Sequence, residues 1–168
     1  MSYWNAYVAI TQMHGQGTFS DPRLAITRTA SPDRVTSKLP ALRAYQLSIA
    51  APRPPAGSYD VAAAARGATL FTGRARCSTC HMGTALTDIN LGRRHAAAET
   101  GMDPAYATRS AERRYRTTPL RALWQHPPYF HDGSAATLDD VVAHYERHLT
   151  LSLTAADRVD LVAYLRSL

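Results

Sequence analysis

The sequence predicts an all-α fold, and three observations carry that expectation. Apolar residues recur at helical spacing in several segments, most clearly near the C-terminus, where Leu161, Val162, Leu165 and Leu168 form one stripe. Two segments open with Thr-x-x-Asp, at Thr137/Asp140 and Thr154/Asp157, the pattern of a reciprocal helix cap. No run alternates polar and apolar residues for long enough to read as a strand.

In chain order, residues 3–13 read as a first helix with Tyr3, Tyr7 and Ile10 on its apolar side, ended by His14-Gly15-Gln16-Gly17. Residues 18–36 are polar and rich in Asp, Pro, Ser and Thr, which reads as a loop. A shorter helix follows over 39–49. Pro52-Arg53-Pro54-Pro55-Ala56-Gly57 then forces an extended connector and marks the best boundary. The chain divides on this reading into an N-terminal helical extension or linker region, 1–57, and a domain over 58–168. A third helix is expected over 61–71, capped by Asp60 at its start and followed by Gly73. Residues 83–116 show little periodicity and read as an irregular segment wrapped around something. Residues 118–125 read as a short helix terminated by Pro127-Pro128, and two capped helices complete the chain. In the last of them Val159 and Tyr164 flank the stripe.

Composition narrows the function. At 168 residues with 45% hydrophobic residues the chain can bury a core, and no stretch approaches the roughly 18 apolar residues of a membrane span. The net charge is +6, and Lys38 is the only lysine among nineteen basic residues. Arginine holds carboxylates through a bidentate fork. The arginines are spread along the chain and no nucleic-acid module is recognisable, so nucleic acid is not an expected partner.

The two cysteines stand in Cys77-Ser78-Thr79-Cys80-His81. A disulfide framework needs more cysteines, and a zinc site needs more ligands near by. A histidine directly after the second cysteine selects covalent haem attachment: two thioethers at vinyl spacing, with the imidazole on the iron. One covalent haem c is therefore expected, held by Cys77 and Cys80, with His81 as iron ligand. A helix before the motif and an amphipathic helix at the C-terminus suit a class I cytochrome c-like haem domain, in which these helices cross; Gly67 and Phe71 are candidate contacts. Haem of this kind is attached after export, so a periplasmic or secreted location is expected. The N-terminus, Met1-Ser2-Tyr3-Trp4-Asn5, has no charged or apolar leader pattern, so either a leader was removed and Met1 added or this is a piece of a longer polypeptide; the second is favoured because the chain opens inside a helical pattern.

Tyr115-Arg116-Thr117-Thr118-Pro119-Leu120-Arg121 leads into Pro128-Tyr129-Phe130-His131-Asp132-Gly133-Ser134-Ala135-Ala136-Thr137-Leu138. This run resembles the C-terminal haem domain of the bacterial di-haem cytochrome c peroxidase superfamily, nearest its rubber-oxygenase-like branch. The likeness covers residues 67–168. It implies the electron-transfer half of a larger di-haem oxidoreductase, with a redox protein or a second haem domain as partner. Enzymes of that superfamily carry two haems, whereas this chain has one motif. The alternative is a haem enzyme that reduces peroxide or activates dioxygen at this iron.

The resemblance places the second iron ligand on the helix after the His-Asp-Gly-Ser turn. His144 is the first candidate there and Tyr145 its rival, with His148, Met102, Met13 or an open site behind them. Tyr145 shares the apolar stripe of Leu138, Val141 and Val142, and His144 sits about 100° away on the helix. Arg116 and Arg121 are candidate partners of the haem propionates, or else surface arginines. Trp124 is a pocket wall, an electron conduit or a core residue. His131 is a propionate contact or a local turn residue.

Overall fold

The computed structural model describes residues 8, 12, 16–22 and 25–168. The chain forms two compact units, residues 1–50 and 51–168, so the Pro-rich connector counts with the second.

In the first unit the expected loop contains a short antiparallel ladder. Strands β1 (Phe19–Asp21) and β2 (Ile26–Arg28) pair Phe19 with Arg28 and Asp21 with Ile26. The expectation of no strand is corrected here. Three-residue strands are too short to display alternation in sequence, although Phe19 and Asp21 are buried and Ser20 between them is exposed. Asp33 then accepts hydrogen bonds from the Val35 and Thr36 amides (3.0 and 2.8 Å); hydrogen bonding by the Thr18 and Thr36 side chains, with these amides, holds its carboxyl well below the usual carboxylate range. Helix α1 (Leu39–Ser48) follows, with Pro at its first turn. Of the helix expected over 3–13, Val8 and Gln12 are described, joined by a 2.8 Å i→i−4 bond. The rest of that expectation, Met13 included, lies outside the described residues.

In the second unit helix α2 (Val61–Thr72) begins where the Asp60 carboxylate accepts the Ala63 amide at 2.9 Å. Residues 83–116 are irregular as expected, broken by tight turns and one helical turn, α3 (Ala97–Thr100). The expected helix at 118–125 contracts to a single 3-10 turn, Leu123–Gln125, preceded by Ala122 at φ 51°. Helices α4 (Leu138–His148) and α5 (Ala155–Ser167) carry the reciprocal caps of Thr137 with Asp140 and Thr154 with Asp157.

Helices α2 and α5 cross at Gly67. A Cβ there would lie 2.0 Å from the Asp160 carbonyl oxygen and 2.8 Å from the Tyr164 Cβ, so the contact requires glycine. Beneath it Phe71, 2% exposed, packs with Leu138, Val142, Leu153, Leu161, Val162 and Leu165. Tyr164 meets the Phe71 ring edge-on at 5.1 Å. Val159 is 63% exposed instead of flanking the stripe. Buried Asp157 and Asp160 take the place beside it, because guanidiniums from the α2 region reach them: Arg66 binds Asp160 with two bonds (2.8 and 2.7 Å), and Arg74 binds Asp157 at 2.6 Å.

Candidate haem site

Helix α2 stops at Gly73, whose N–H bonds the Thr69 and Leu70 carbonyls, and Arg76 at φ 59° swings the chain into a 3-10 turn over Cys77–Thr79. The Cys80 and His81 amides both bond the Cys77 carbonyl, at 3.3 and 3.0 Å. Both thiols and the imidazole are thereby held on one turn directly below the helix crossing. Cys77 packs against the core, and burial pushes its thiol up to about 11.

His81 is the most constrained of the three. Its ring lies 6.3 Å from that of Phe71, and Nδ1 sits 3.0 Å from the Leu86 carbonyl oxygen. A carbonyl can only accept, so Nδ1 carries the proton and Nε2 keeps its lone pair. Burial lowers the pKa of this imidazole, which favours the neutral form that a metal requires. Two free half-buried thiols beside an imidazole with one available nitrogen fit a covalently attached haem.

The two candidates on α4 separate. Tyr145 is half-buried. Burial pushes its phenol up to about 12, and the neighbouring Cys77 and Cys80 add to the rise. His144 turns toward residues 97–101: its Nε2 is 2.9 Å from the Thr100 carbonyl oxygen, and its ring packs on Phe130 at 4.8 Å and His148 at 6.1 Å. His144 also lines a cavity of about 300 Å³ with Phe130, Ser134, Asp140 and Arg147. His148 is exposed, and Met82 and Met102 are half-buried.

The remaining candidates are dispersed. Arg116 and Arg121 are exposed, and neither forms an ion pair among the described residues. Trp124 is half-buried with its Nε1 shielded from water and without an acceptor among the described residues. It borders a second cavity of about 370 Å³ with Tyr129, Pro127 and Arg166. His131 is exposed and stacks on Tyr115 at 4.4 Å, with Nε2 3.0 Å from the phenol oxygen.

Sequence reasoning missed one cluster. Asp88 is wholly buried (0% exposed) and lies 2.9 Å from His95 Nε2, while Glu99 meets His95 Nδ1 at 3.1 Å. Burial alone would raise the Asp88 carboxyl, but hydrogen bonds from Thr117 and His95 outweigh it and hold the group below the usual carboxylate range. Burial likewise opposes the charged form of His95, and its two carboxylate partners win, raising its pKa. Ligand atoms of Cys80, Asp88 and His95 lie within 4.8 Å of one another, so the pair adjoins the cysteine turn. No spacing rule links residues 80, 88 and 95; only the irregular path of the chain brings them together.

Comparison with known proteins agrees with this geometry. Residues 64–168 match the cytochrome c family. The chain is 33% identical over 127 residues to the methylamine utilization protein MauG of Methylorubrum extorquens, covering 62% of this chain and 34% of MauG. It is 29% identical over 190 positions to the cytochrome-c peroxidase IdrP1 of Denitromonas iodatirespirans, covering 80% and 50% respectively. The chain thus spans half or less of the length of these curated relatives. Among solved structures it resembles a MauG-like protein associated with microbial copper homeostasis, with a TM-score of 0.50 at 24% identity over 67% of this chain and 48% of that one. It also resembles a chain of Kuenenia stuttgartiensis hydrazine synthase, with a TM-score of 0.52 at 24% identity over 88% of this chain and 59% of the other. At that identity the two structures speak for the fold alone. The helical architecture, the crossing at Gly67 and the match over residues 64–168 converge: the chain belongs to the cytochrome c family.

Proposed function

We propose that residues 58–168 hold one covalent haem c through Cys77 and Cys80, with His81 Nε2 on the iron, and that the domain carries electrons as one half of a larger di-haem oxidoreductase. The orientation of His81 carries the reading: its Nδ1 is engaged by the Leu86 carbonyl 3.0 Å away, and its other nitrogen is left for a metal beside two free thiols. The group would supply a one-electron iron couple. The chain's own residues hold the imidazole in one tautomer, bury the Cys77 side of the turn under Phe71 and Tyr164, and shield it from water.

Tyr145, rather than His144, would be the second residue to hold the group. Tyr145 is close enough to Cys77 and Cys80 for both to add to the rise that burial imposes on its phenol, whereas the His144 Nε2 is taken up by the Thr100 carbonyl at 2.9 Å. Arg116, Arg121, Trp124 and His131 would help to hold the cofactor, the two arginines through its carboxylates. Residues 1–57 form the extension. A periplasmic or secreted location follows from attachment after export; among the described residues no helix is long and apolar enough to cross a membrane.

Visible spectra of protein produced with a cytochrome c maturation system test this assignment. Tyr145→Phe is expected to shift the ferric spectrum, and His144→Ala to leave it unchanged. The reverse pattern would return the ligand to His144. A high-spin wild type that binds peroxide would favour the enzyme alternative at this iron.

A further inference from the structure

Helix α4 carries two histidines one turn apart on one face, His144 and His148. Their rings are stacked, with 18° between the planes and 6.1 Å between the centres. Both rings close onto Gly101, the residue that ends α3 at φ 71°. A Cβ at Gly101 would lie 2.7 Å from His148 Nδ1 and 3.1 Å from His144 Nε2, so a side chain there would displace the rings. Glycine is what lets one nitrogen from each ring approach the same stretch of backbone. The Thr100 carbonyl oxygen supplies a third donor atom, 2.9 Å from His144 Nε2.

Paired imidazoles at i and i+4 of a helix are a chelating arrangement for divalent transition metals. The spacing of the donors selects among those metals. Two ligand atoms ~2.1 Å from an ion lie ~3.0 Å apart at a right angle and ~3.4 Å apart at the tetrahedral angle. The 2.9 Å between His144 Nε2 and the Thr100 oxygen matches the right angle. Without an ion, Nε2 carries the proton and donates to that carbonyl. When an ion takes Nε2 the proton moves to Nδ1, and the carbonyl is already placed as a neighbouring ligand. His148 and Gly101 are exposed, so an ion can enter from solvent and waters can complete its shell. The site also lies in the last turn of α4, where the free helix carbonyls favour positive charge. Exposed Arg147 on the same turn opposes the ion, and salt screens that opposition.

We propose that His144, His148 and the Thr100 carbonyl bind a divalent transition-metal ion of right-angled preference, Cu2+ or Ni2+. The ion ties the end of α3 to the helix that carries Tyr145. The site goes beyond the haem reading and needs one part of it: His144 must stay off the haem iron, because one Nε2 cannot serve two metals. Two imidazoles and a carbonyl oxygen form a mixed nitrogen and oxygen donor set, which suits tetragonal Cu2+ and Ni2+ better than a tetrahedral Zn2+ centre.

The test uses the matured full chain, stripped of loose metal with a chelator and titrated with Cu2+, Ni2+ or Zn2+ sulfate. Calorimetry gives stoichiometry and affinity, and electron paramagnetic resonance of bound Cu2+ reports the coordinating nitrogens. One ion per chain is expected, with a Cu2+ signal split by two nitrogens. His148→Ala, at an exposed position, is expected to weaken binding about tenfold or more and to leave one nitrogen. His126→Ala removes an exposed histidine elsewhere and is expected to change neither. Binding that survives His148→Ala, or that falls equally in His126→Ala, would overturn the proposal. So would Zn2+ binding more tightly than Ni2+, the reverse of the order expected at a right-angled site. His144→Ala separates this site from the haem reading. Loss of the ion with an unchanged haem spectrum supports both. Full metal binding with an unchanged spectrum would sink the metal site and leave Tyr145 at the haem. A changed spectrum would put His144 on the iron and overturn both.

Discussion

At the scale of single residues, the chemistry divides into what lies close in sequence and what does not. Cys77, Cys80 and His81 are legible because the haem bonds proposed for them demand adjacent positions. The choice between His144 and Tyr145 is not, because neighbouring helical positions point about 100° apart and only the tertiary surroundings show which direction leads to the cysteines. Asp88 and His95 lie further still from sequence reasoning. Their mutual dependence has a pH signature. The lowered Asp88 pKa contributes stability that is present above about pH 4 and lost as pH falls through its folded value. The raised His95 pKa contributes stability that is complete below about pH 6.5 and lost as pH rises through its own folded value. The melting temperature is therefore expected to decline at both ends, and His95→Gln should remove the alkaline part. An unchanged alkaline limb in that variant would show that His95 does not carry it. Asp88→Asn removes a buried negative charge beside Cys80 and is expected to raise the reduction potential, measured by redox titration.

At the scale of elements, caps were easier to read than boundaries without them. Helices α2, α4 and α5 begin where Asp60, Thr137 and Thr154 predict, since a side-chain acceptor for the first free amides is a local four-residue device. The expected helix at 118–125 had no such cap and contracted to one turn. The stripe of α5 is legible at Leu161, Val162 and Leu165, but Asp157 and Asp160 are buried because arginines arrive from elsewhere in the fold. The crossing of α2 and α5 is the element-scale test. Gly67→Ala places a Cβ 2.0 Å from the Asp160 oxygen and should cost about 1–3 kcal/mol through forced separation of the helices. Phe71→Ala should cost about 3–5 kcal/mol, because the ring is 2% exposed and closes the core below that crossing. Chemical denaturation of the matured protein measures both. A neutral Gly67→Ala would mean that the crossing is looser than the contact distance implies.

At the scale of the whole molecule, composition gave the sign of the charge but not its distribution. Arg94 and Arg116 lie far apart in sequence, and the antiparallel His95–Tyr115 rung sets them opposite each other. The division into units 1–50 and 51–168 carries its own expectation. A chain of residues 51–168 should mature with haem and give the visible spectrum of the full chain. A changed spectrum would assign a role at the iron to the first fifty residues.

The hydrogen bond from His81 to the Leu86 carbonyl spans only five residues. A loop that short closes on a timescale far faster than the docking of distant helices. The ring can therefore be turned to present a single nitrogen while α2 and α5 are still apart. Assembly then has an order: a nascent chain displays a ready-made address for its cofactor, and the crossing at Gly67 later seals what that short loop has already aimed.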